Sequence, residues 1–580
     1  MKLTIRTEDK NAKVTVKSET APDGAALYTI GVSYDAPTVP SPLTASWTEP
    51  LGDEYSFWQP LCGFNRRVPQ WFGAQQVHSD FFHGSPVMAL VGADGVCTLT
   101  AALSDPVKPS KLTFAVDDFH QRDEFELSAV LFAGKTEPIT DYEAVLRLDY
   151  ARMPLAGAME RVTAWQDSFL PPPEYAVPEE AYMPLYSSWY NFHQNPEQKL
   201  LTAELKEAAK LGFRTAILDD GWQFEGEGTK DYRRAGDWFP AKDKFPDFAG
   251  FVRDAHAFGV KLILWFCVPF VGYETESYRR FENRLLTRQD FPINAGVLDI
   301  RYKEVRDYLT GLYVRYIRDY DIDGLKLDFI DCFTLNESSP AWNAEMDCRT
   351  MEEAVFTLLG SIRAAAEKEK PHFLIEFRQT YIGPAVLRYG NMVRVGDCAF
   401  DAVTNRIGTV DLRLSTRNIA VHSDMLLWGR EQSVESCARQ LLNILFSVPQ
   451  ISVLLTRCRE EQKKLLSSFL AYWQENRETL LSGKLELSHP EANYSAVTAV
   501  GKTKRVTVLY AENSCVYSGG AADIWNAGTD GVLTLRNPAG IRAEFRVTDC
   551  FGQEVSVSEM TGDVCAVHVP ACGCLRVTER

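Results

Sequence analysis

The sequence has little that would mark a nucleic-acid-binding or membrane protein. No cluster of Lys and Arg is long enough to follow a phosphate backbone, and the formal net charge is −17, so nucleic acid is not an expected partner. No uncharged apolar run reaches membrane-spanning length, and the segment M-K-L-T-I-R-T-E-D-K at the start has no apolar signal-like core. We therefore expect a cytoplasmic protein with no membrane partner.

The thirteen cysteines lack the spacing of a disulfide framework or a zinc site. There is no C-x-x-C pair, and only one residue separates the nearest two, Cys572 and Cys574. Free thiols in a reducing compartment, with no metal and no cofactor, are the prediction. Low-complexity tracts are also absent, which argues against disorder. Because 580 residues exceed the size of a single ordinary domain, we expect two or three globular domains.

The order of apolar runs predicts three domains. Residues 1–173 alternate short apolar runs with turn residues, which is typical of an antiparallel β-sandwich. The prolines of L-P-P-P-E-Y, at 170–175, indicate a stiff linker. Residues 174–483 alternate strands with helices, and residues 484–580 return to alternating strands, which predicts a small C-terminal β-sandwich.

The middle segment predicts a (β/α)8 TIM barrel. Eight strands are expected at 184–192, 214–222, 260–266, 323–331, 372–377, 391–397, 425–428 and 450–455. Helical spacing of apolar residues predicts helices at 197–211, 248–258, 305–320 and 351–369. The carboxyl ends of barrel strands meet at one mouth, where catalytic groups of this fold lie.

The strand D-G-L-K-L-D-F-I-D, at 323–331, carries the strongest chemical signal. Side chains two apart on a strand point the same way, so Lys326 and Asp328 share a face. Taken alone, an internal ion pair is an equally good interpretation.

The other strand ends repeat this pattern of apolar residues followed by charges. The charged residues at the mouth are Asp219 and Asp220, Lys326 and Asp328, Glu376 and Arg378, and Arg394 and Asp397. A single acid at a strand end is often only the cap of the following helix. Several carboxylates held close together are different, because their mutual repulsion pushes their pKa values apart. Two carboxylates in different protonation states are what a glycosidase needs, about 5 Å apart in the retaining type.

Aromatic residues beside these strand ends are candidates for contacts with a sugar ring. Trp189, Trp222 and Trp265 would offer flat apolar faces. The aromatic and Arg-rich stretch at 56–73, with Trp58, would complete a pocket in its own chain or in a neighbour; packing inside its own sandwich is an equal alternative.

Four motifs resemble the α-galactosidase clan of glycoside hydrolases, families 27 and 36. They are D-D-G-W (219–222), L-I-L-W-F (262–266), L-K-L-D (325–328) and R-V-G-D (394–397). The layout of sandwich, barrel and small β domain is similar to family 36. The resemblance implies a retaining exo-α-galactosidase in which Asp328 is the nucleophile and Asp397 the acid/base.

The resemblance also implies the residues that bind the sugar. Asp219 and Asp220 would hold its 4- and 6-hydroxyls, and Lys326 and Arg394 its 2- to 4-hydroxyl edge. The partner would be a small α-glycoside or oligosaccharide. Oligomers are common in the family, so a homo-oligomer is an open alternative.

Two departures from the family pattern leave the substrate open. W-F-C-V-P, at 265–269, stands where family 36 usually has W-F-E-P-E, and E-F-R-Q-T-Y, at 376–381, replaces a glycine-rich segment. Glu376 and Arg378 then stand where contacts to the leaving group and the 2-substituent would lie.

Four alternatives remain open. A transglycosylase of the raffinose-synthase type and a hydrolase of α-N-acetylgalactosaminides keep the same site. The other two belong to different functional classes: a barrel enzyme with Mg²⁺ on the strand-end acids, and a non-catalytic sugar-binding protein that binds tightly without turnover. His193 and His422 are interpreted as structural, Asp331 and Asp401 as support for their neighbours, while Asp299 and Asp424 receive no role.

Overall fold

The computed structural model describes residues 3–70, 74–170, 177–417, 419–559 and 562–580. Except for Leu170, the predicted linker at 170–175 lies outside the described residues, as does the end of the aromatic stretch, residues 71–73.

The N-terminal part contains two antiparallel sheets packed face to face. The first has Thr4–Thr7, Leu43–Pro50, Glu124–Leu131, Ser110–Val116 and Gln75–Ser79 in spatial order. The second has Lys13–Thr20, Ala26–Thr38, Ile139–Asp149, Val96–Leu103, Val87–Gly92 and Glu54–Trp58, with Met153–Pro154 added beside Val96–Leu103. Phe57 of the second sheet meets Phe114 of the first edge to face, with ring centroids 4.8 Å apart. The predicted sandwich is confirmed.

The middle part is a parallel eight-stranded barrel. Its strands are β1 (Leu185–Ser187), β2 (Thr215–Leu218), β3 (Lys261–Cys267), β4 (Gly324–Asp328), β5 (Leu374–Arg378), β6 (Met392–Arg394), β7 (Ala420–His422) and β8 (Gln450–Ile451). Neighbouring strands pair in chain order, and β8 also pairs with β1. Between β7 and β8 the barrel is closed by a parallel bridge from His422 to Val448. The predicted TIM barrel is confirmed.

Helices on the outside connect most of these strands. The helices are Leu155–Gln166, Trp189–Phe192, Gln198–Lys210, Phe248–Ala257, Glu276–Phe281, Lys303–Tyr320, Met351–Glu369, Ala402–Ser415, Val434–Asn443 and Glu460–Ser482. Several begin where a side chain accepts a backbone N–H that has no partner within the helix. Asp401 does this for Thr404, and Thr350 does it for Glu353.

Several predicted strands are shorter at the mouth end, and one was misplaced. The seventh strand is Ala420–His422 and not 425–428, where only Leu426 makes a bridge, to Ile451. Met425, Leu426 and Trp428 are buried although the run pairs at a single residue, so apolar burial imitated a strand. The first strand likewise ends at Ser187, and 189–192 is helical. Beyond Asp328 the chain leaves the strand at Phe329, whose φ is +60°.

A small antiparallel sheet interrupts the connection between β3 and β4. It consists of Phe270–Gly272, Leu285–Gln289 and Ala295–Leu298. The C-terminal part has a larger sheet of Lys484–Ser488, Ala496–Val500, Lys504–Leu509, Ala521–Asn526, Cys574–Glu579, Ala543–Thr548 and Glu554–Glu559, and a smaller one of Ser514–Val516, Gly531–Arg536 and Val564–Val569. These sheets confirm the predicted β-sandwich. The division at 173/174 and 483/484 remains a proposal.

Trp58 does not reach the barrel mouth, contrary to the prediction that it binds substrate. It is fully buried, and its indole Nε1 donates to Asp411 Oδ1 at 2.8 Å and to the Tyr494 hydroxyl at 3.0 Å. Arg66 forms an ion pair with the same Asp411 at 2.8 Å. Asp411 lies on the barrel helix Ala402–Ser415 and Tyr494 in the C-terminal part, so this cluster joins all three parts of the chain.

Replacing Asp411 by Ala should destabilise the protein strongly. The change leaves the Arg66 guanidinium buried without its counter-charge, which typically costs about 3–5 kcal/mol. A lower urea midpoint, followed by tryptophan fluorescence, would show this. As a matched control, Asp94→Ala removes the exposed ion pair with Arg152 and should leave the midpoint nearly unchanged. Equal midpoints for the two variants would contradict the prediction.

Candidate active site

Asp328 ends β4, and four hydrogen-bond donors hold its carboxylate. Its Oδ1 accepts from Arg378 Nε at 2.8 Å, from the Tyr381 hydroxyl at 2.7 Å and from the Phe329 amide at 2.8 Å. Its Oδ2 accepts only from Trp265 Nε1, at 3.0 Å, among the described residues. Oδ2 is therefore the oxygen with more remaining capacity to react.

The charge on Asp328 is stabilised strongly. Burial by itself would raise the pKa of this carboxyl, but the positive charges of Arg378 and Lys326 and the hydrogen bonds from Tyr381 and Trp265 hold that pKa well below its usual range. Asp328 is therefore ionised at neutral pH, as a nucleophile must be.

Lys326 stands two residues before Asp328, on the same face of β4. Its Nζ donates to Asp219 Oδ2 at 2.7 Å, and both side chains are almost fully buried. The Asp219 amide donates to Ser188 Oγ at 2.9 Å, which fixes the loop after β2 against the end of β1. The internal ion pair between Lys326 and Asp328 that the sequence suggested is not the one that forms, because Lys326 pairs with Asp219 and Asp328 pairs with Arg378 at 2.8 Å.

Asp220 is held by two amide side chains. Its Oδ2 accepts from Gln194 Nε2 and its Oδ1 from Gln223 Nε2, each at 2.7 Å. Burial, with a contribution from the negative charge of Asp219, raises the pKa of Asp220 to about 6. Gly221 has φ +106°, and a Cβ there would lie 2.4 Å from Gln194 backbone atoms, so D-D-G-W requires this glycine.

Asp397 lies in the loop after β6 and is bound by Arg394. Arg394 Nη1 donates to Asp397 Oδ1 at 2.9 Å and also to Asp424 Oδ1. Asp424 is fully buried and accepts from the Tyr190 hydroxyl and the Cys398 amide, each at 2.7 Å. The Asp397 side chain is 55% exposed, so it faces the solvent of the mouth.

The two aspartates share an electrostatic environment. Burial tends to raise the pKa of Asp397, but the charges of Arg394, Lys326 and Arg378 lower it overall. Lys326 and Arg378 also lower the pKa of Asp328. The charges of Lys326 and Arg378 therefore favour the ionised form of both carboxylates.

Glu376 does not provide the predicted subsite contact, because it is fully enclosed below the mouth. Its Oε2 accepts from Gln450 Nε2 at 2.6 Å, and that nitrogen lies 3.2 Å from His422 Nδ1. His422 donates through Nε2 to the Ala181 carbonyl at 2.7 Å, and burial lowers the pKa of His422 to about 4. Hydrogen bonds thus link Glu376, Gln450 and His422 across the barrel interior. Arg378 does reach the mouth, where its side chain is 24% exposed.

The predicted tryptophans have different surroundings. Trp222 is fully buried, and it packs on Phe248 and Tyr316 of the outer helices, so its face is not available to a sugar and that prediction is wrong. Trp265 is also buried, and it reaches Asp328 with its indole N–H and not with an open ring face. Trp189, on the short helix after β1, is half-buried.

Sequence reasoning did not assign Tyr381, Tyr190, Gln194 or Asp424 to the site. Asp424 and Tyr190 follow the ends of β7 and β1, so the strand-end criterion could have found them. Tyr381 lies three residues past β5, and nothing in its sequence context shows that its hydroxyl reaches Asp328.

Three further properties bear on the predicted chemistry. Among the described residues, no three His, Cys, Asp or Glu side chains are grouped so that they could hold a metal ion. All thirteen cysteines are free thiols. Across the described ranges, every helix is too short or too polar to cross a bilayer.

Comparison with known families connects this site to one of them. The sequence model of the melibiase family matches residues 179–408. α-Galactosidase Mel36A of Lactobacillus acidophilus is 34% identical over 147 residues, which are 24% of this chain and 19% of that protein. α-Galactosidase AgaA of Geobacillus stearothermophilus is 28% identical over 199 residues, which are 33% of this chain and 26% of that protein. The matches thus span about a quarter or less of the curated relatives.

Solved structures share the fold over a larger part of the chain. The crystal structure of the family 36 α-galactosidase AgaA has a TM-score of 0.65 at 17% identity and covers 100% of this chain and 87% of its own. The α-galactosidase TtGalA of Thermus thermophilus, in complex with p-nitrophenyl α-D-galactopyranoside, has a TM-score of 0.52 at 18% identity, covering 79% of this chain and 94% of its own. The resemblance to the α-galactosidases of families 27 and 36 is confirmed, and in sequence it is carried by the barrel.

Proposed function

We propose that this protein is a retaining exo-α-galactosidase, with Asp328 as nucleophile and Asp397 as acid/base. The observation that carries the proposal is the state of Asp328: an ionised carboxylate at a strand end, with Oδ1 held by three donors and Oδ2 left more open. A second carboxylate, Asp397 in the loop after β6, has its pKa lowered by the charges of the same two cations, Lys326 and Arg378. A pair of carboxylates at one barrel mouth suits double displacement.

In the first step Asp328 attacks the anomeric carbon of a terminal α-galactosyl residue, and Asp397 gives its proton to the departing oxygen. The product is a β-galactosyl ester on Asp328 and a free alcohol. In the second step Asp397 takes a proton from water, the water oxygen bonds to the anomeric carbon, and Asp328 is released. Two inversions return the α-configuration.

The sugar would be bound by the charged residues around this pair. Asp219 and Asp220 are rigidly held, and Lys326 and Arg394 each carry buried positive charge toward the mouth. Relatives support an oligosaccharide substrate, because solved family 36 structures are complexes with raffinose and with stachyose. We propose a terminal α-galactoside of this kind.

A second candidate is hydrolysis of a related α-glycoside, such as an α-N-acetylgalactosaminide. Arg378 favours it, because this guanidinium replaces a glycine-rich segment at the mouth and lies across the Tyr381 ring at 4.9 Å. Because the Arg378 guanidinium is hydrogen-bonded to Asp328, it changes the space and the charge around a substituent at the 2-position of the sugar.

A panel of aryl α-glycosides tests the function. We expect hydrolysis of the α-galactoside, with α-galactose as the first product by NMR and no loss of rate in EDTA. Turnover of the N-acetylgalactosaminide alone would select the second candidate, and transfer from galactinol would indicate a transglycosylase. Loss of rate in EDTA would indicate a metal enzyme, and tight binding without turnover a sugar-binding protein.

The cellular setting belongs to the same proposal. Thirteen free thiols favour a reducing compartment, so we propose a cytoplasmic protein. A molar mass from light scattering would test for the homo-oligomer that is common among α-galactosidases of this type.

A further inference from the structure

Two short segments of the N-terminal sandwich have the same local design. In D-F-F-H (80–83) the Asp80 carboxylate accepts the amides of Phe82 and His83 at 2.8 and 2.9 Å and lies 3.1 Å from His83 Nδ1. In D-D-F-H (117–120) Asp117 accepts two amides at 3.1 Å and lies 2.7 Å from His120 Nδ1. The turns are alike, so any special role must come from what each faces.

The first turn faces the barrel beside the proposed nucleophile. His83 Nε2 lies 3.5 Å from Asp331 Oδ2, in the 3-10 turn Ile330–Cys332 that follows Asp328. Hydrogen bonding to Asp331 and to Asp80 raises the pKa of His83 to about 10, although burial opposes this, so the ring is an imidazolium at neutral pH. The His120 side chain, in contrast, is 54% exposed.

Backbone pairing joins the same turn to the loop after β5. His83 forms an antiparallel bridge with Tyr381, and the Gly84 amide donates to the Thr380 carbonyl at 3.4 Å. The Gly383 amide donates to the Phe82 carbonyl at 3.2 Å. A Cβ at Gly383 would lie 2.8 Å from the Phe81 carbonyl oxygen, so only glycine allows this close approach.

The residue fixed by this pairing reaches the reacting carboxylate. The buried Tyr381 hydroxyl accepts from the Phe329 amide at 2.8 Å and donates to Asp328 Oδ1 at 2.7 Å. Burial and the charge of Asp328 raise the pKa of Tyr381 well above its usual value, so the hydroxyl remains a donor. The position of the hydroxyl depends on the backbone of Tyr381, which pairs with His83.

We propose that residues 80–84, the docking turn of the N-terminal sandwich, are a positioning element for the nucleophile. Through the His83–Asp331 contact and the pairing with 380–383, the docking turn holds the Tyr381 hydroxyl on Asp328. The inference rests on the proposed function of Asp328. His83 is a positioning residue, because it acts through Tyr381 and does not touch the reacting atoms.

The test compares His83→Ala with His120→Ala, which disrupts the matching turn that is not docked on the barrel. Misplacing a catalytic group lowers turnover steeply, so we expect His83→Ala to reduce kcat about tenfold or more while KM changes little. His120→Ala should keep the wild-type kcat. Circular dichroism and thermal melting of each variant establish that it is folded.

A double-mutant cycle separates positioning from general structural support. Tyr381→Phe removes the hydrogen bond directly, so adding His83→Ala to it should cause no further loss of kcat. If His83→Ala fails to fold, Asp331→Asn weakens the same contact from the barrel side and should also lower kcat. Full additivity of the two changes, or wild-type kcat in a folded His83→Ala or Asp331→Asn, would overturn the inference.

The two proposals can fail separately. If the wild-type chain hydrolyses no α-glycoside, the proposed function is refuted. If the wild type is active and Asp328→Gly is not, a folded His83→Ala variant with undiminished kcat refutes the docking turn alone.

Discussion

Asp328→Gly is expected to remain folded and to lose nearly all turnover of an aryl α-galactoside, by roughly 10⁴-fold or more. Without this carboxylate no covalent intermediate forms, and Arg378 and Tyr381 lose the carboxylate oxygen to which they donate hydrogen bonds. Steady-state hydrolysis measured beside a thermal melt gives the result. Undiminished hydrolysis by the folded variant would refute the assignment of the nucleophile.

Azide provides the complementary result for the same variant. A small anion fits the space left by the side chain and attacks from the same face, so Asp328→Gly with azide should form the β-galactosyl azide. The isosteric Asp328→Asn is the matched control, because it lacks the charge but leaves no space for azide. Formation of the α-azide would contradict double displacement.

Asp397→Asn is expected to lose activity in proportion to how poor the leaving group is. General acid catalysis contributes about 10²- to 10⁴-fold, and a leaving group such as p-nitrophenolate needs little protonation. The loss in kcat/KM should therefore be small for p-nitrophenyl α-galactoside and large for raffinose. Asp401→Asn, at the cap of the next helix, should discriminate far less between these substrates. Equal losses on both substrates for Asp397→Asn would contradict the acid/base role.

The sign of the pH dependence follows from the same group. Arg394, Lys326 and Arg378 lower the pKa of Asp397, so the free enzyme holds this proton only at acidic pH. Asp328 must be ionised, and the charges of Arg378 and Lys326 hold its pKa well below its usual range. We expect kcat/KM for raffinose to rise as pH falls from neutral. This pH dependence should disappear in Asp397→Asn. A rise toward alkaline pH would contradict this.

Local sequence patterns predicted the secondary elements well where they are long. The helix Met351–Glu369 was predicted with these bounds because its apolar positions follow helical spacing, and in the structure the Thr350 side chain caps it. Short barrel strands were harder to predict. The buried run at 425–428 imitated a strand, and only the pairing of β7 with β6 shows which residues form it.

The candidate site shows the same limit. Lys326 and Asp328 could be assigned to one face because alternation along a strand is local. The position of the Trp222 ring could not be predicted in this way, since the ring packs against the outer helices and not into the mouth. Tyr381 was missed because its hydroxyl reaches Asp328 through a loop whose course depends on a contact with another domain.

The three successive β, β/α and β regions and the charged residues at the strand ends could be predicted from sequence patterns, because periodicity and chain order are properties of neighbouring residues. Sequence patterns did not reveal which of these charges meet, which aromatic rings are enclosed, or that a turn of the first sandwich lies against the loop beside Asp328; these depend on how the chain folds. Such contacts join residues that are tens to hundreds of positions apart, and their geometry depends on packing between strands, helices and whole domains.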